Sequence, residues 1–346
     1  MNKVWIDVRT PKQALIASII MKELSEKGYE TLVTTRKYDY TISNLERNGI
    51  RPIVIGGYGD SLYEKLLVEL ERGVKLAEIV KKEKPCVLVS YPSPSAARVA
   101  FGLGIRHIAL CDTSHAFAAN RLDFPFADIA IYSSFIADEM IWHILEKFTT
   151  IVTYKGVDEL MWIKGFKPNR KVLNDLGLEE YRYVIVRPEE FKAHYYTEDR
   201  PFVLKLVDLI RKKELKPVVL PRYEDQLVIV KNIENIIVPK KAVDGPSLEK
   251  YAALVITGGG TMAREAALQG TPGISLFPRQ IKQDIILRKI GFPIYNLNTK
   301  ENSLAIINSM LDDPIKFRVD TSNLLGRLES PLPYISEWVA RLCRHY

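Results

Sequence analysis

Three consecutive glycines, Gly258-Gly259-Gly260, stand between an apolar run, Leu254–Thr257, and an alanine-rich stretch that starts at Thr261. Glycine lacks the Cβ that keeps a ligand off the backbone, and it tolerates positive φ. A strand-to-helix bend of this composition presents N–H groups and a helix dipole to an anion. A diphosphate suits that place. Glu265, one turn inside the expected helix and on the side of Thr261, is positioned to accept hydrogen bonds from the two hydroxyls of a ribose. Ala263, Ala266 and Ala267 let the helix lie close on a sheet, and Gly270 with Pro272 stops it. The first strand lacks a G-x-G-x-x-G turn, reading Asp7-Val8-Arg9-Thr10-Pro11 instead, and no Gly-Lys-Ser/Thr of a P-loop occurs. Dehydrogenase and NTPase chemistry are thereby set aside.

Other candidates follow other strand ends. His115 comes after the run His107–Cys111, with Asp112 three residues before it. A histidine oriented by a carboxylate can act as a general base; the alternative is that Asp112 caps the next helix and His115 packs beneath it. Asp7, Arg9 and Lys12 cluster after the first strand. There Asp7 could orient a hydroxyl, while Arg9 or Lys12 could meet a phosphate or a sugar carboxylate; a strand-end turn with solvated charges is the bland alternative. Arg187 and Arg222 each follow a strand of the second half and are placed to contact phosphate. Tyr195 or Tyr196 could stack on a base, although packing is the commoner role of a tyrosine. Gln280 and Asp284 follow a further strand. The five histidines are dispersed and no Asp-x-Asp pair occurs, so no metal site is expected. Cys86, Cys111 and Cys343 are odd in number and fit neither a disulfide framework nor a zinc knuckle; they read as buried small hydrophobes.

These residues need strands to carry them. Short apolar runs suit strands at Val4–Val8, Thr31–Thr34, Pro52–Ile55, Val87–Ser90, His107–Cys111, Ile129–Tyr132 and Ile151–Thr153. Helical patterns at Pro11–Lys27, Ser61–Lys82 and Phe135–Leu145 lie between them. A second series contains Val184–Arg187, Pro217–Leu220, Ile236–Val238, Leu254–Thr257, Gly273–Leu276 and Pro293–Tyr295, with helices such as Pro201–Lys213 and Ser303–Leu311. Strands separated by helices of this length pair in parallel with right-handed crossovers. A chain of 346 residues exceeds one ordinary core. The expected organisation is a Rossmann-like domain over 1–160 and a nucleotide-binding Rossmann-like domain over 161–330. A last helix is expected over 331–346. The cleft between the sheets is the expected ligand site.

A net charge of +7 could suit nucleic acid, an acidic membrane or phosphorylated ligands, but the basic residues are scattered and mostly at helix ends. Nucleic acid is not the expected partner. No apolar run is long enough for a membrane span, which leaves only peripheral membrane contact, and the chain reads as cytoplasmic.

The stretch Gly258–Pro272 resembles the nucleotide-binding signature of GT-B proteins. These include the N-acetylglucosaminyltransferase that completes lipid II and the non-hydrolysing UDP-N-acetylglucosamine 2-epimerases. VWIDVRTPKQ at the start, CDTSHAFAANRLDFPFAD at Cys111–Asp128, VRPEEFKAHYY at Val186–Tyr196 and VDGPSLEKYAALVITGGGTMAREAALQGTP extend the similarity to an uncharacterised prokaryotic family of the same superfamily. The resemblance implies a GT-B-like α/β fold whose C-terminal helix packs back on the first domain, and a UDP-linked or similar substrate, with no covalent cofactor. Gly259, Gly260 and Thr261 would lie on the diphosphate, Glu265 on the ribose, and Gln280 and Asp284 on the sugar. Three functions are implied: a glycosyltransferase with His115 or Asp7 as base, a sugar-nucleotide 2-epimerase, or a binding protein without catalysis. The epimerase segment His-Val-Glu-Ala-Gly-Leu-Arg is here Ser114-His115-Ala116-Phe117, without the acid after the histidine.

Overall fold

The computed structural model describes residues 2–140, 148–188, 202–221, 224–231, 233–241, 243–297 and 300–344. They form two compact units, Met1–Met161 with Glu329–Tyr346, and Trp162–Leu328.

The first unit holds seven strands: β1 Lys3–Val8, β2 Glu30–Thr35, β3 Ile53–Val54, β4 Val87–Ser90, β5 Arg106–Cys111, β6 Ile129–Ser133 and β7 Thr150–Tyr154. Every pairing is parallel, in the order β3-β2-β1-β4-β5-β6-β7. The helix Pro11–Glu26 begins where Thr10 accepts a hydrogen bond from the Gln13 N–H and Pro11 fixes the first turn. Its buried face carries Ala14, Ala17, Ile20 and Leu24 at three- and four-residue steps. Trp5, Leu32, Leu76, Val80 and Leu88 form a core on the sheet. The expected helix Phe135–Leu145 is, in its described part, only a short 3-10 turn at Ser134–Ile136; residues 141–147 lie outside the described residues.

The helix Leu332–Cys343 packs on β4, β5 and β6 and on the helix Pro11–Glu26. There Cys343 joins Cys86 in a disulfide, with Cα atoms 5.2 Å apart across 257 residues of sequence. Two of the three cysteines are therefore covalently paired rather than inert hydrophobes. Only the return of the chain brings them together, and spacing does not carry that information. Cys111 stays a buried free thiol. The chain leaves and re-enters this unit at one point: the N–H of Glu329 donates to the Lys155 carbonyl at 2.8 Å, and the Lys155 N–H donates to Glu329 Oε2 at 2.6 Å.

The second unit holds β8 Tyr183–Arg187, β9 Lys216–Val219, β10 Leu254–Thr257, β11 Gly273–Ser275 and β12 Ile294–Asn296. They too are all parallel, in the order β12-β11-β10-β8-β9. The expected strand Ile236–Val238 shrinks to one isolated bridge, Val218 to Ile237. Val184, Val186, Leu254, Ile256 and Ile274 face the helix Phe202–Lys212 through Phe202, Leu206 and Ile210.

Each sheet has one place where strand order reverses. In the first unit the chain runs outward through β1, β2 and β3 and then returns to β4 on the other side of β1. In the second it runs outward from β8 to β9 and then returns to β10 on the other side of β8. Crevices at the carboxyl ends of these pairs are where open parallel sheets take ligands.

Candidate functional site

The glycine bend occupies the reversal point of the second sheet. The N–H of Gly258 donates to the carbonyl of Arg187 at 3.1 Å, tying the ends of β10 and β8 together. The N–H of Gly259 donates to Thr257 Oγ1 at 3.2 Å. Two of the three glycine amides thus have internal acceptors. None of the three glycines adopts positive φ, so close approach is what the triplet supplies. Gly260 precedes the helix Thr261–Leu268 and no side chain caps it. Helix geometry leaves the N–H groups of Thr261, Met262 and Ala263 without intrahelical acceptors. The bend is half-buried rather than sealed.

The residues behind the bend explain its shape. A Cβ on Gly260 would stand 2.5 Å from Arg264 Nη1 and 2.9 Å from Ile281 Cδ1. Arg264 is in turn fixed by Asp284 Oδ1 at 2.9 Å, both side chains being buried. Asp284 is therefore a support beneath the bend rather than an open sugar ligand. Gln280 is exposed in the loop after β11. Glu265 is 7% exposed and accepts the Trp162 indole N–H at 2.8 Å. Burial, and then the Glu265 charge beside it, push the fully buried Glu249 carboxyl well above its ordinary range. The positive charge of Arg187 opposes that rise. Arg222, Tyr195 and Tyr196 lie outside the described residues. A concavity of about 630 Å³ at the opposite edge of this sheet, lined by Arg182, Asp208, Arg211 and Lys216, is broad and charged. It lies at the amino ends of β8 and β9, where this architecture does not bind ligands.

The first unit gathers two groups of ionisable side chains at its carboxyl edge. In one, Lys12 Nζ sits 2.7 Å from Asp112 Oδ2, 3.3 Å from Glu159 Oε1 and 3.7 Å from Asp158 Oδ2. Tyr91 Oη donates to Asp158 at 2.6 Å, and Tyr154 Oη donates to its other oxygen. Burial raises the Asp158 carboxyl to about 6, with Lys12 holding it from going higher. A carboxyl poised there takes or releases a proton near neutrality. Asp112 is half-buried, also holds the Thr113 hydroxyl at 3.0 Å, and does not cap the following helix, which starts after Ala116. His115 is exposed.

The second group encloses Asp7. Its oxygens accept from Arg72 Nη2 at 2.6 Å, from Ser93 Oγ at 2.6 Å and from Thr34 Oγ1. Burial alone would raise its pKa; the Arg72 charge and these donors hold it below the ordinary carboxylate range. With no side-chain exposure, Asp7 anchors the strand ends instead of meeting substrate, which corrects its expected role as a base. Next to it, burial lifts Asp123 to about 8 and depresses His107 to about 3. Sequence reasoning missed Arg72, Tyr91, Glu249, Asp158 and Trp162. Asp158 and Tyr91 could have been found, since both follow strand ends; Arg72 reads as an ordinary helix-surface charge.

Among the described residues no helix is long and apolar enough to cross a membrane. A family model described as "Protein of unknown function" (DUF354) matches residues 2–292. An uncharacterized protein of Methanocaldococcus jannaschii is 30% identical over 287 residues, 80% of this chain and 82% of that one. Among solved structures, the UDP-GlcNAc 2-epimerase of the same organism in complex with UDP-GlcNAc and UDP superposes with a TM-score of 0.70 at 17% identity, covering 90% of this chain and 93% of the other. The spinosyn forosaminyltransferase SpnP gives 0.61 at 13% identity, covering 98% and 99%. The fold is GT-B-like: two α/β units, each built on a parallel sheet.

Proposed function

Because the chain belongs to the DUF354 family, whose function is unknown, fold and edge chemistry must carry the assignment, and we propose that it binds a UDP-linked sugar and acts as a glycosyltransferase-like enzyme. The observation that carries this reading is the uncapped, glycine-led helix at the reversal point of the second sheet. Its dipole and unpaired N–H groups would hold the diphosphate and stabilise it as a leaving group without a metal. Glu265 would take the ribose hydroxyls. Arg187 would add positive charge, and Gln280 is the polar residue assigned to the sugar. For proton transfer from an acceptor hydroxyl we assign Asp112, with His115 nearby in sequence.

A second reading, 2-epimerisation, is favoured by one observation. The acidic partner that the sequence did not reveal would come from the carboxylates of Asp112, Asp158 and Glu159 around Lys12.

The test is a thermal-shift and calorimetric screen with UDP, GDP, CDP, dTDP and ADP, followed by incubation with UDP-N-acetylglucosamine. A transferase should bind UDP and leave the sugar nucleotide nearly untouched until an acceptor is added. An epimerase should release UDP or form the manno epimer unaided. A chain whose melting temperature no nucleotide raises overturns both readings.

A further inference from the structure

Arg36, the first residue past β2, carries a charge that its surroundings do not fully answer. Its side chain is only 10% exposed. The guanidinium carbon lies 5.1 Å from the Tyr38 ring centre and 5.2 Å from that of Tyr58. These rings lie 5.3 Å apart and form an aromatic wall that Tyr58 carries out to solvent. Nη1 is 3.6 Å from Glu69 Oε1, and Nε is buried with no hydrogen-bond partner.

The neighbouring anions are already committed. Glu69 takes a two-pronged contact from Arg9. Asp7 takes Arg72, whose remaining N–H groups go to Ser95 Oγ and the Ile55 carbonyl. Three arginines thus share two carboxylates, a surplus of one positive charge. Asp123, raised to about 8, stays neutral below that pH and does not offset it. Burial, and then the charges of Arg9 and Arg72, lower Arg36 to about 10. A cation held out of water beside two others is disfavoured until an anion arrives.

We infer that Arg36, with Arg9 and the Tyr38–Tyr58 wall, forms a subsite for an oxyanion group on a small molecule, a phosphate or a carboxylate, at the carboxyl edge of the first sheet. The guanidinium supplies paired donors to the anion. The rings supply an apolar face for the body that carries it. The subsite lies in a different unit from the glycine bend and stands whether or not that bend takes a nucleotide.

The test uses the full chain at low ionic strength, titrated by calorimetry with inorganic phosphate and separately with malonate. At least one should bind with a Kd on the order of millimolar. Arg36→Gln should weaken that binding roughly tenfold, from the lost charge-assisted bonds. Binding of phosphate alone identifies a phosphate group, of malonate alone a carboxylate. If Arg36→Gln does not fold, wild-type protein labelled with ¹⁵N-arginine gives the answer: the Nε–H resonance missing from Arg36→Lys should move on adding the anion. Failure of both anions to bind, binding indifferent to Arg36→Gln, or an unmoved Nε–H resonance overturns the subsite. The nucleotide reading fails separately, on UDP.

Discussion

Gly259→Ala separates folding from ligand binding. A Cβ built on Gly259 has no heavy atom within 4 Å, and the residue does not occupy the left-handed region. The free protein should therefore accept alanine, even gaining about 0.4–1 kcal/mol from the stiffer unfolded chain. The new methyl group stands on the bend where, in the proposed function, a phosphate would approach the first N–H groups of the helix Thr261–Leu268. Displacing one hydrogen bond to a charged oxygen costs about 1.5–3 kcal/mol, which raises Kd about 10- to 150-fold. Calorimetric titration with UDP, paired with urea unfolding, reads both effects. A variant that folds normally and binds UDP within about twofold of wild type would refute the placement of the diphosphate, because the loss expected exceeds that margin. Gly260→Ala is the contrasting control. Its Cβ meets Arg264 and Ile281 at 2.9 Å or less, so it should destabilise by about 1–3 kcal/mol through overpacking.

Other perturbations test the first unit. Arg72→Met leaves Asp7 buried with hydroxyl partners only, and should cost about 3–5 kcal/mol in urea unfolding; a loss within about 0.5 kcal/mol, the range of surface substitutions, contradicts the pairing. In wild type the depressed Asp7 pKa contributes stability that is fully present above its unfolded value near 4 and is lost as pH falls through the folded value; Arg72→Met should flatten that acid limb. Asp123 behaves oppositely, because its folded pKa is raised to about 8. It holds a proton that the unfolded chain releases, so its contribution declines as pH rises from about 4 to about 8, by up to about 1.4 kcal/mol per pH unit. Asp123→Asn should remove that decline, and equal slopes in the two proteins would contradict it. Reducing the Cys86–Cys343 bond, which closes a very long loop, should lower stability by about 3–5 kcal/mol in unfolding curves run with and without reductant. Coincident curves would show that the bond constrains nothing.

The layered α/β plan was legible because each strand is a compact β-branched run and each helix keeps a three- and four-residue apolar step. Ala14, Ala17, Ile20 and Leu24 are a clear instance. The bend at Gly258–Gly260 was legible for the same reason, being local in sequence from strand to helix. Strand order was not, and the reversal between β8 and β10 is what gives the bend its place. Side-chain roles failed where partners come from far away. Asp7 and Asp112 look alike at strand ends, yet Arg72, 65 residues on, encloses the first, while Lys12 leaves the second half-open. Ile236–Val238 had the composition of a strand, but only Ile237 bridges to Val218.

The stitch between Lys155 and Glu329 gives the chain a modular character. Everything from Trp162 to Leu328 forms one compact unit between two stretches of its host, in the manner of a cassette inserted into a finished domain. A few residues bridging Met161 to Glu329 would close the host without disturbing any of its seven strands. The excised cassette keeps its own sheet and its own core. Evolution or an engineer could exchange the segment Trp162–Leu328 while the host kept its ionisable groups, so the two units are free to vary independently.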